Sequence, residues 1–298
     1  MLAEAARQTP RSVRRDYEVT YREQRAAGYT AVGEFHYLGY DEALAASEAA
    51  RAAGIELVLL YVAYGRGGLD RFRQESPAAY LRDVERLAEA GIRTGLAPHS
   101  VRACSVDWLT EIGRYAASNP LPLHVHACEQ PREIEECLAE HARRPIELLA
   151  DTGCLGPRTT IIHATHADDH ELDLVSEAGA RVCLCPTTEM NLGDGFAPVR
   201  RLLERHIRLC IGSDSNIRID PLEELRELDG IARRDALARE IITGPDLLAV
   251  GAENGAAALG LGTWPAVEID LAHESLRGVA PVNVGAALVA GCSADVFL

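Results

Sequence analysis

Short apolar runs of β-branched and leucine residues alternate along the chain with longer Ala/Leu/Glu/Arg stretches of helical period. Strands are expected at 30–37 (TAVGEFHY), 56–64 (ELVLLYVAY), 93–100 (RTGLAPHS), 121–128 (LPLHVHAC), 159–166 (TTIIHATH), 181–188 (RVCLCPTT) and 207–214 (IRLCIGSD). Helices are expected near 41–53, 77–90, 106–117, 131–150, 168–178, 196–205 and 221–231, with another opening the chain at about 12–27 and more near 235–260. Gly54, Gly91 and Gly179 stand where three of these helices would stop.

Strands alternating with helices predict a parallel sheet, either open and doubly wound or rolled into a barrel. The polar residues favour the barrel. His36, His99, His126, His163 and Asp214 fall at or near the C-terminal ends of different strands, as on the top face of a TIM barrel. A doubly wound sheet would gather its site at one switch point, often beside a glycine-rich phosphate loop. Neither GxGxxG nor GxxxxGKS/T occurs. A barrel of this kind has eight strands, whereas seven are legible here after an opening helix. The expectation is an α/β fold, a TIM-like (β/α)8 barrel over residues 1–262 that lacks its first strand. Residues 263–298, with WPAVEIDL and ALVAGCSADVFL taken as strands, would belong to a small β-sandwich domain. Without the first strand, two sheet edges would be open to pairing with another chain.

Composition narrows the function. The 298 residues hold 45 Asp and Glu against 30 Lys and Arg, a net charge of −15. That disfavours nucleic acid and anionic membranes as partners, while local basic spots can still bind a small acid. Eight cysteines occur without a CxxC pair, several inside apolar strand runs. They read as reduced thiols of a cytoplasmic protein. The N-terminal stretch has arginines but no apolar core of a secretory signal. No apolar run reaches the ~18 residues that span a membrane.

The candidate chemistry centres on LHVHACEQ, residues 123–130. Residues two apart on a strand share a face, so His124 and His126 point the same way. Imidazole is a common zinc ligand, and Glu129 just past the strand could reach a water on a metal held by His126. The plainer alternative is two packed histidines and a glutamate favoured at a helix N-terminus. IIHATH places His163 at the end of the next strand, and CIGSDS places Asp214 at the end of the last. Asp214 alone could be a cap; three such groups at one height weaken that alternative. PHSVR supplies His99 and Arg102, and arginine suits bidentate carboxylate recognition. CPTTEMNLGDG, 185–195, reads as a polar loop closing over a site.

Together these segments resemble the amidohydrolase superfamily, and within it the aminohydrolase branch, which removes ammonia from amidine-type carbon. The carriers are HVHACE, IIHATH, CPTTEMNLGDG and GSDS. GYTAVGEFHYLGY, PHSVR and GSDSNIRIDPLEELR make the set most similar to the formimidoylglutamate iminohydrolases, with the likeness running from about residue 15 to 298.

The resemblance implies one Zn2+ per subunit, ligated by His126 and Asp214. It implies that Glu129 shuttles a proton and that His163 polarises the attacking water or the tetrahedral centre. Asp214 also accepts a proton, and His99, Arg102 and Tyr37 hold the carboxylates of a small dicarboxylate substrate. His124 is implied to be a neighbour of the metal rather than a ligand. A homodimer is the family expectation. The family's remaining zinc ligands are an HxH on its first strand, and no HxH precedes residue 36. The chain is therefore expected to be part of a longer iminohydrolase and inactive by itself. The alternatives are an aminohydrolase acting on a nucleobase or guanidino acid, or a non-catalytic remnant that binds a small acid.

Overall fold

Seven parallel strands form one sheet in simple sequence order. They are β1 (Ala31–His36), β2 (Glu56–Ala63), β3 (Thr94–Pro98), β4 (Leu123–Ala127), β5 (Thr159–His163), β6 (Arg181–Leu184) and β7 (Arg208–Ile211). The computed structural model describes residues 5–298; residues 1–4 of the expected barrel segment lie outside the described residues. Helix α1 (Pro10–Ala26) precedes β1 and packs on α2 (Tyr40–Ala53). The crossovers are α2, α3 (Pro77–Glu89), α4 (Val106–Ser118), α5 (Pro131–His141) with α6 (Pro145–Asp151), α7 (Asp169–Glu177), and α8 (Pro186–Leu192) with α9 (Val199–Glu204). Helices α10 (Pro221–Ala236), α11 (Gly244–Gly251), α12 (Glu253–Ala258) and α13 (Val284–Gly291) follow β7.

Alternation along the strands divides the interior in two, because successive side chains leave a strand on opposite faces. Leu59, Tyr61 and Ala63 of β2 join Leu123, Val125, Ile161, Val182 and Leu209 in the large core beneath the helices. Val58, Leu60 and Val62 face inward, against Ala256 and Leu261. Ile162, Cys183, Cys185 and Cys210 share the inner side with Ala258. Each large aliphatic or aromatic side chain buried this way contributes about 1.5–3 kcal/mol. Helix α12 is tied beneath the sheet by Asn254 Nδ2, which donates to the Leu209 carbonyl at 2.8 Å.

The central strands β3, β4 and β5 are buried along their whole length, whereas β1 is mostly half-exposed. Among the described residues β1 pairs only with β2, and β7 only with β6. Between these two edges lies a cavity of about 700 Å³, walled by Gly33, Phe35, Ile211, Gly212, Leu259 and Trp264. His126 and Asp214 also reach it.

The seven strands and the opening helix match the pattern of the sequence, with three corrections. The run 131–150 is two helices, because Ala142 turns left-handed at φ 51° and Pro145 starts a new first turn. The run 181–188 is strand only to Leu184; Pro186, lacking an N–H, opens the short α8 where a strand and then a loop were expected. At the C-terminal end the expected β-sandwich strands do not form. ALVAGC lies mostly in α13, and WPAVEIDL contributes a single antiparallel bridge, Ile269 to Phe297. Alanine-rich sequence favours helix, and Leu288 and Val289 bury one side of α13, with Cys292 buried just past its end. No helix among the described residues is long and apolar enough to cross a membrane.

Candidate active site

The ends of β3, β4, β5 and β7 converge on one polar cluster. Three of them turn through left-handed backbone at residues other than glycine: Cys128 (φ 56°), His163 and Ala164 (φ 74° and 54°), and Asp214 (φ 43°). Such conformations cost of order 1–3 kcal/mol each and gather where a fold must aim side chains. Here they swing Glu129, His163 and Asp214 toward a common space.

His126 and His163 stand side by side, ring centroids 5.5 Å apart. His163 Nε2 lies 3.9 Å from Glu129 Oε1 and 4.0 Å from Asp214 Oδ2. That nitrogen is buried and has no hydrogen-bond partner. On its other side, the Nδ1–H of His163 donates to Glu189 Oε1 at 3.1 Å. His126 donates its own Nδ1–H to the His99 carbonyl at 3.0 Å, leaving Nε2 as a free lone pair. Phe35 packs on the His126 ring at 4.6 Å and His99 stacks on it at 4.9 Å. Tyr37 touches His99 edge-on at 5.7 Å. Arg102 Nη2 reaches Glu129 Oε2 at 3.3 Å, so one carboxylate bridges the arginine and His163. The turn carrying Arg102 is fixed from outside. Arg66 donates to the carbonyls of Val101 and Arg102 at 3.0 and 2.8 Å and pairs with Glu140.

Burial sorts the protonation states. It pushes His126 well below the usual histidine range, with His99 and His163 adding to the effect. It likewise pushes His99 down to about 3, helped by Arg102 and His163. Both rings are therefore neutral, the form that ligates a metal. Burial also opposes charge on His163. There, however, the Glu189 hydrogen bond and the charges of Glu189, Glu129 and Asp214 outweigh it and raise its pKa. Asp214 is raised by burial and by Glu189 and Asp194, against the pull of His163.

All seven expected site residues, His126 among them, thus gather at one end of the sheet. His124 does not join them: its Nε2–H donates to the Ala258 carbonyl at 2.9 Å, a structural bond to α12. His36, which also ends a strand, bonds Glu34 at 3.0 Å and stacks on Tyr61. It leaves β1 on the face opposite Phe35, which is the residue that touches His126.

Three carboxylates were missed. Glu189 lay within a run read as a loop; it projects inward from α8. Glu133 accepts the Glu129 backbone N–H at 3.0 Å, and burial raises its pKa to about 7. Asp194 accepts from Gln130 Nε2 at 3.1 Å and keeps one buried oxygen unpartnered. The one legible signal was the i, i+4 spacing of Glu129 and Glu133 at a helix start.

The donor types suit zinc: a neutral imidazole anchored through its other nitrogen and a carboxylate. The number does not reach the three protein ligands of a catalytic zinc. Among the described residues no group of three or more His, Cys, Asp or Glu side chains is placed to hold a metal ion.

The geometry is matched by kinship. The model of the amidohydrolase family matches residues 5–263, and the chain belongs to that family. It is similar to formimidoylglutamate deiminase of Pseudomonas aeruginosa, 39% identical over 233 residues, covering 70% of this chain and 51% of that protein. It is also similar to 5-methylthioadenosine/S-adenosylhomocysteine deaminase of Natronomonas pharaonis, 30% identical over 256 residues, covering 85% of this chain and 59% of that protein. Among solved structures, the adenosine deaminase of Xanthomonas campestris with bound zinc superposes with a TM-score of 0.88 at 22% identity, covering 99% of this chain and 69% of that one. An amidohydrolase of Brucella melitensis superposes with a TM-score of 0.83 at 30% identity, covering 97% of this chain and 74% of that one. The chain spans about half the length of the curated relatives it matches.

Proposed function

We propose that the chain carries the site of a hydrolytic deaminase that splits a carbon–nitrogen bond in an amidine, with N-formimidoyl-L-glutamate as substrate and N-formyl-L-glutamate and ammonia as products. The observation that carries this reading is the Arg102–Glu129–His163 sequence of contacts, a cation beside the reactive cluster. A dicarboxylate needs a cationic partner next to the group that reacts, and the guanidinium supplies one.

His99 and Tyr37 would frame the same mouth of the site. Glu129 would take the proton of the attacking water and hand it to the departing nitrogen, a transfer worth ~10²–10⁴-fold in rate. His163 would present Nε2 to the developing tetrahedral centre. Asp214 would accept a hydrogen bond or proton on the opposite side. A zinc ion, held by His126 and Asp214 with further donors from outside the described residues, would supply an activated water near neutral pH. In this reading the active enzyme is longer than the chain and dimeric.

The likeness to nucleoside deaminases supports a second reading, in which an adenine-type amidine is the substrate. The test is ammonia release by the complete, zinc-loaded enzyme that contains this chain, from N-formimidoyl-L-glutamate and from 5′-methylthioadenosine. Turnover of the first alone supports the proposal. Turnover of the second alone replaces it with nucleoside deamination. No turnover of either by the complete enzyme would overturn the deaminase reading.

A further inference from the structure

Glu189 is a costly residue where it stands. Its side chain is 2% exposed, and one carboxylate oxygen, Oε2, has no hydrogen-bond partner. Packing an apolar group there would avoid the desolvation cost of a buried charge. What the carboxylate does is specific. Oε1 accepts the Cys185 backbone N–H at 2.9 Å and the His163 Nδ1–H at 3.1 Å. The first bond locks the carboxylate to the start of α8, where the Glu189 N–H in turn donates to the Cys185 carbonyl at 2.9 Å. The second holds a ring that is itself 1% exposed, on left-handed backbone, with Nε2 free.

We propose that Glu189 is a positioning residue for the reaction: by taking the Nδ1–H of His163 it fixes the tautomer and aim of the ring, so that Nε2 alone faces the space between Glu129 and Asp214. The inference rests on the deaminase reading of this site. With Nδ1–H committed to Glu189, any proton His163 gives or takes in the reaction moves at Nε2. Among the described residues, the hydrogen bond recorded for His163 Nδ1 is the one to Glu189.

The test reads the ring directly and does not require turnover. Long-range proton–nitrogen correlation spectra of the 15N-labelled, zinc-free chain, at a pH where His163 is neutral, report which ring nitrogen carries hydrogen; H163N assigns the signal. The expected wild-type pattern is Nδ1–H with a bare Nε2. E189Q should keep it, because the Cys185 N–H holds the amide oxygen toward the ring. E189A should release the ring to the Nε2–H form. A wild-type ring with Nε2–H overturns the proposal, and so does an unchanged tautomer in folded E189A. If E189A does not fold, the wild-type and E189Q spectra still decide. Failure of the chain to deaminate either substrate leaves the tautomer result standing, so the two readings fail separately. In an active preparation E189A should lower kcat by on the order of 10²-fold or more, with KM changed by less than about threefold and E189Q recovering part of the loss. A pure KM effect would also sink the proposal.

Discussion

The Nδ1–H of His126 donates to the backbone carbonyl of His99 at 3.0 Å, and the two rings stack with centroids 4.9 Å apart. The residue just past β3 thereby sets which nitrogen of a β4 histidine is left to bind a ligand. H126A should reduce zinc affinity by more than the ~10–100-fold that follows loss of an outer partner of a ligand. H126Q, which keeps an amide donor for the carbonyl, should retain the fold and lose the metal equally. Competition with a chromophoric chelator measures both; unchanged zinc uptake in H126A would remove His126 from the ligand set.

Arg102 is expected to act on binding. Charge-assisted hydrogen bonds contribute about 1.5–3 kcal/mol, so R102A should raise KM for a dicarboxylate amidine by roughly 10–150-fold. A neutral nucleoside should be affected little. Steady-state kinetics with both substrates separates the cases. An R102A variant equally impaired on both would assign Arg102 to holding Glu129 in place.

Glu129 is expected to act on chemistry. E129Q keeps the shape and the acceptor for Arg102 but cannot take a proton. Its kcat should fall ~10²–10⁴-fold with near-normal thermal stability, because the side chain is 13% exposed at the rim of the cluster. Retained turnover would dismiss it as the shuttle.

Glu224 provides a stability prediction away from the cluster. Its carboxylate accepts the Thr187 N–H at 3.0 Å and the Thr187 hydroxyl at 2.5 Å. Burial raises its pKa from 4.5 to about 7, against the Thr187 hydrogen bonds. A raised carboxyl pKa means the folded state holds its proton longer than the unfolded chain does. The stabilisation is then full below about pH 4.5, is lost progressively up to about pH 7, and stays lost above it. E224Q removes this dependence. Relative to the variant, the wild type should therefore lose stability across that window, by on the order of 3 kcal/mol. Chemical denaturation of both proteins at a series of pH values checks it; parallel curves would refute it.

Gly113 offers a packing test. A Cβ there would lie 2.4 Å from the Thr152 carbonyl and 2.8 Å from the backbone of Gly153. Backbone cannot swing aside as a long side chain can. G113A should cost about 1–3 kcal/mol, visible as a lower thermal midpoint. A stability equal to wild type would show that α4 can pull away from the α6 terminus freely.

The strand pattern was legible because burial enforces it. In β2, Leu59 and Tyr61 face the helices while Leu60 and Val62 face inward, and both faces are apolar, so the whole run reads as a strand. The polar residues His99, His126, His163 and Asp214 were legible because each ends such a run. Glu189 was not, because it sits on a seven-residue helix whose sequence also suits a loop, and only the packing of α8 turns it toward His163. The C-terminal segment was misread for a related reason. Short apolar runs such as ALVAG satisfy strand and helix alike, and the choice fell to burial against Leu222 and Leu276.

The sequence by itself therefore determined the alternation of strand and helix, the parallel order, and the family, since these depend on local period and on motifs read along the chain. Only the tertiary structure decided which ring nitrogen of His126 and of His163 faces the site, that Glu129 lies between Arg102 and His163, and that His36 and His124 point elsewhere. Apart from the local His36–Glu34 contact, those facts depend on distances between residues 25 to 134 positions apart in the chain, and hydrogen bonds and Coulomb forces act on distance in space rather than on order in sequence.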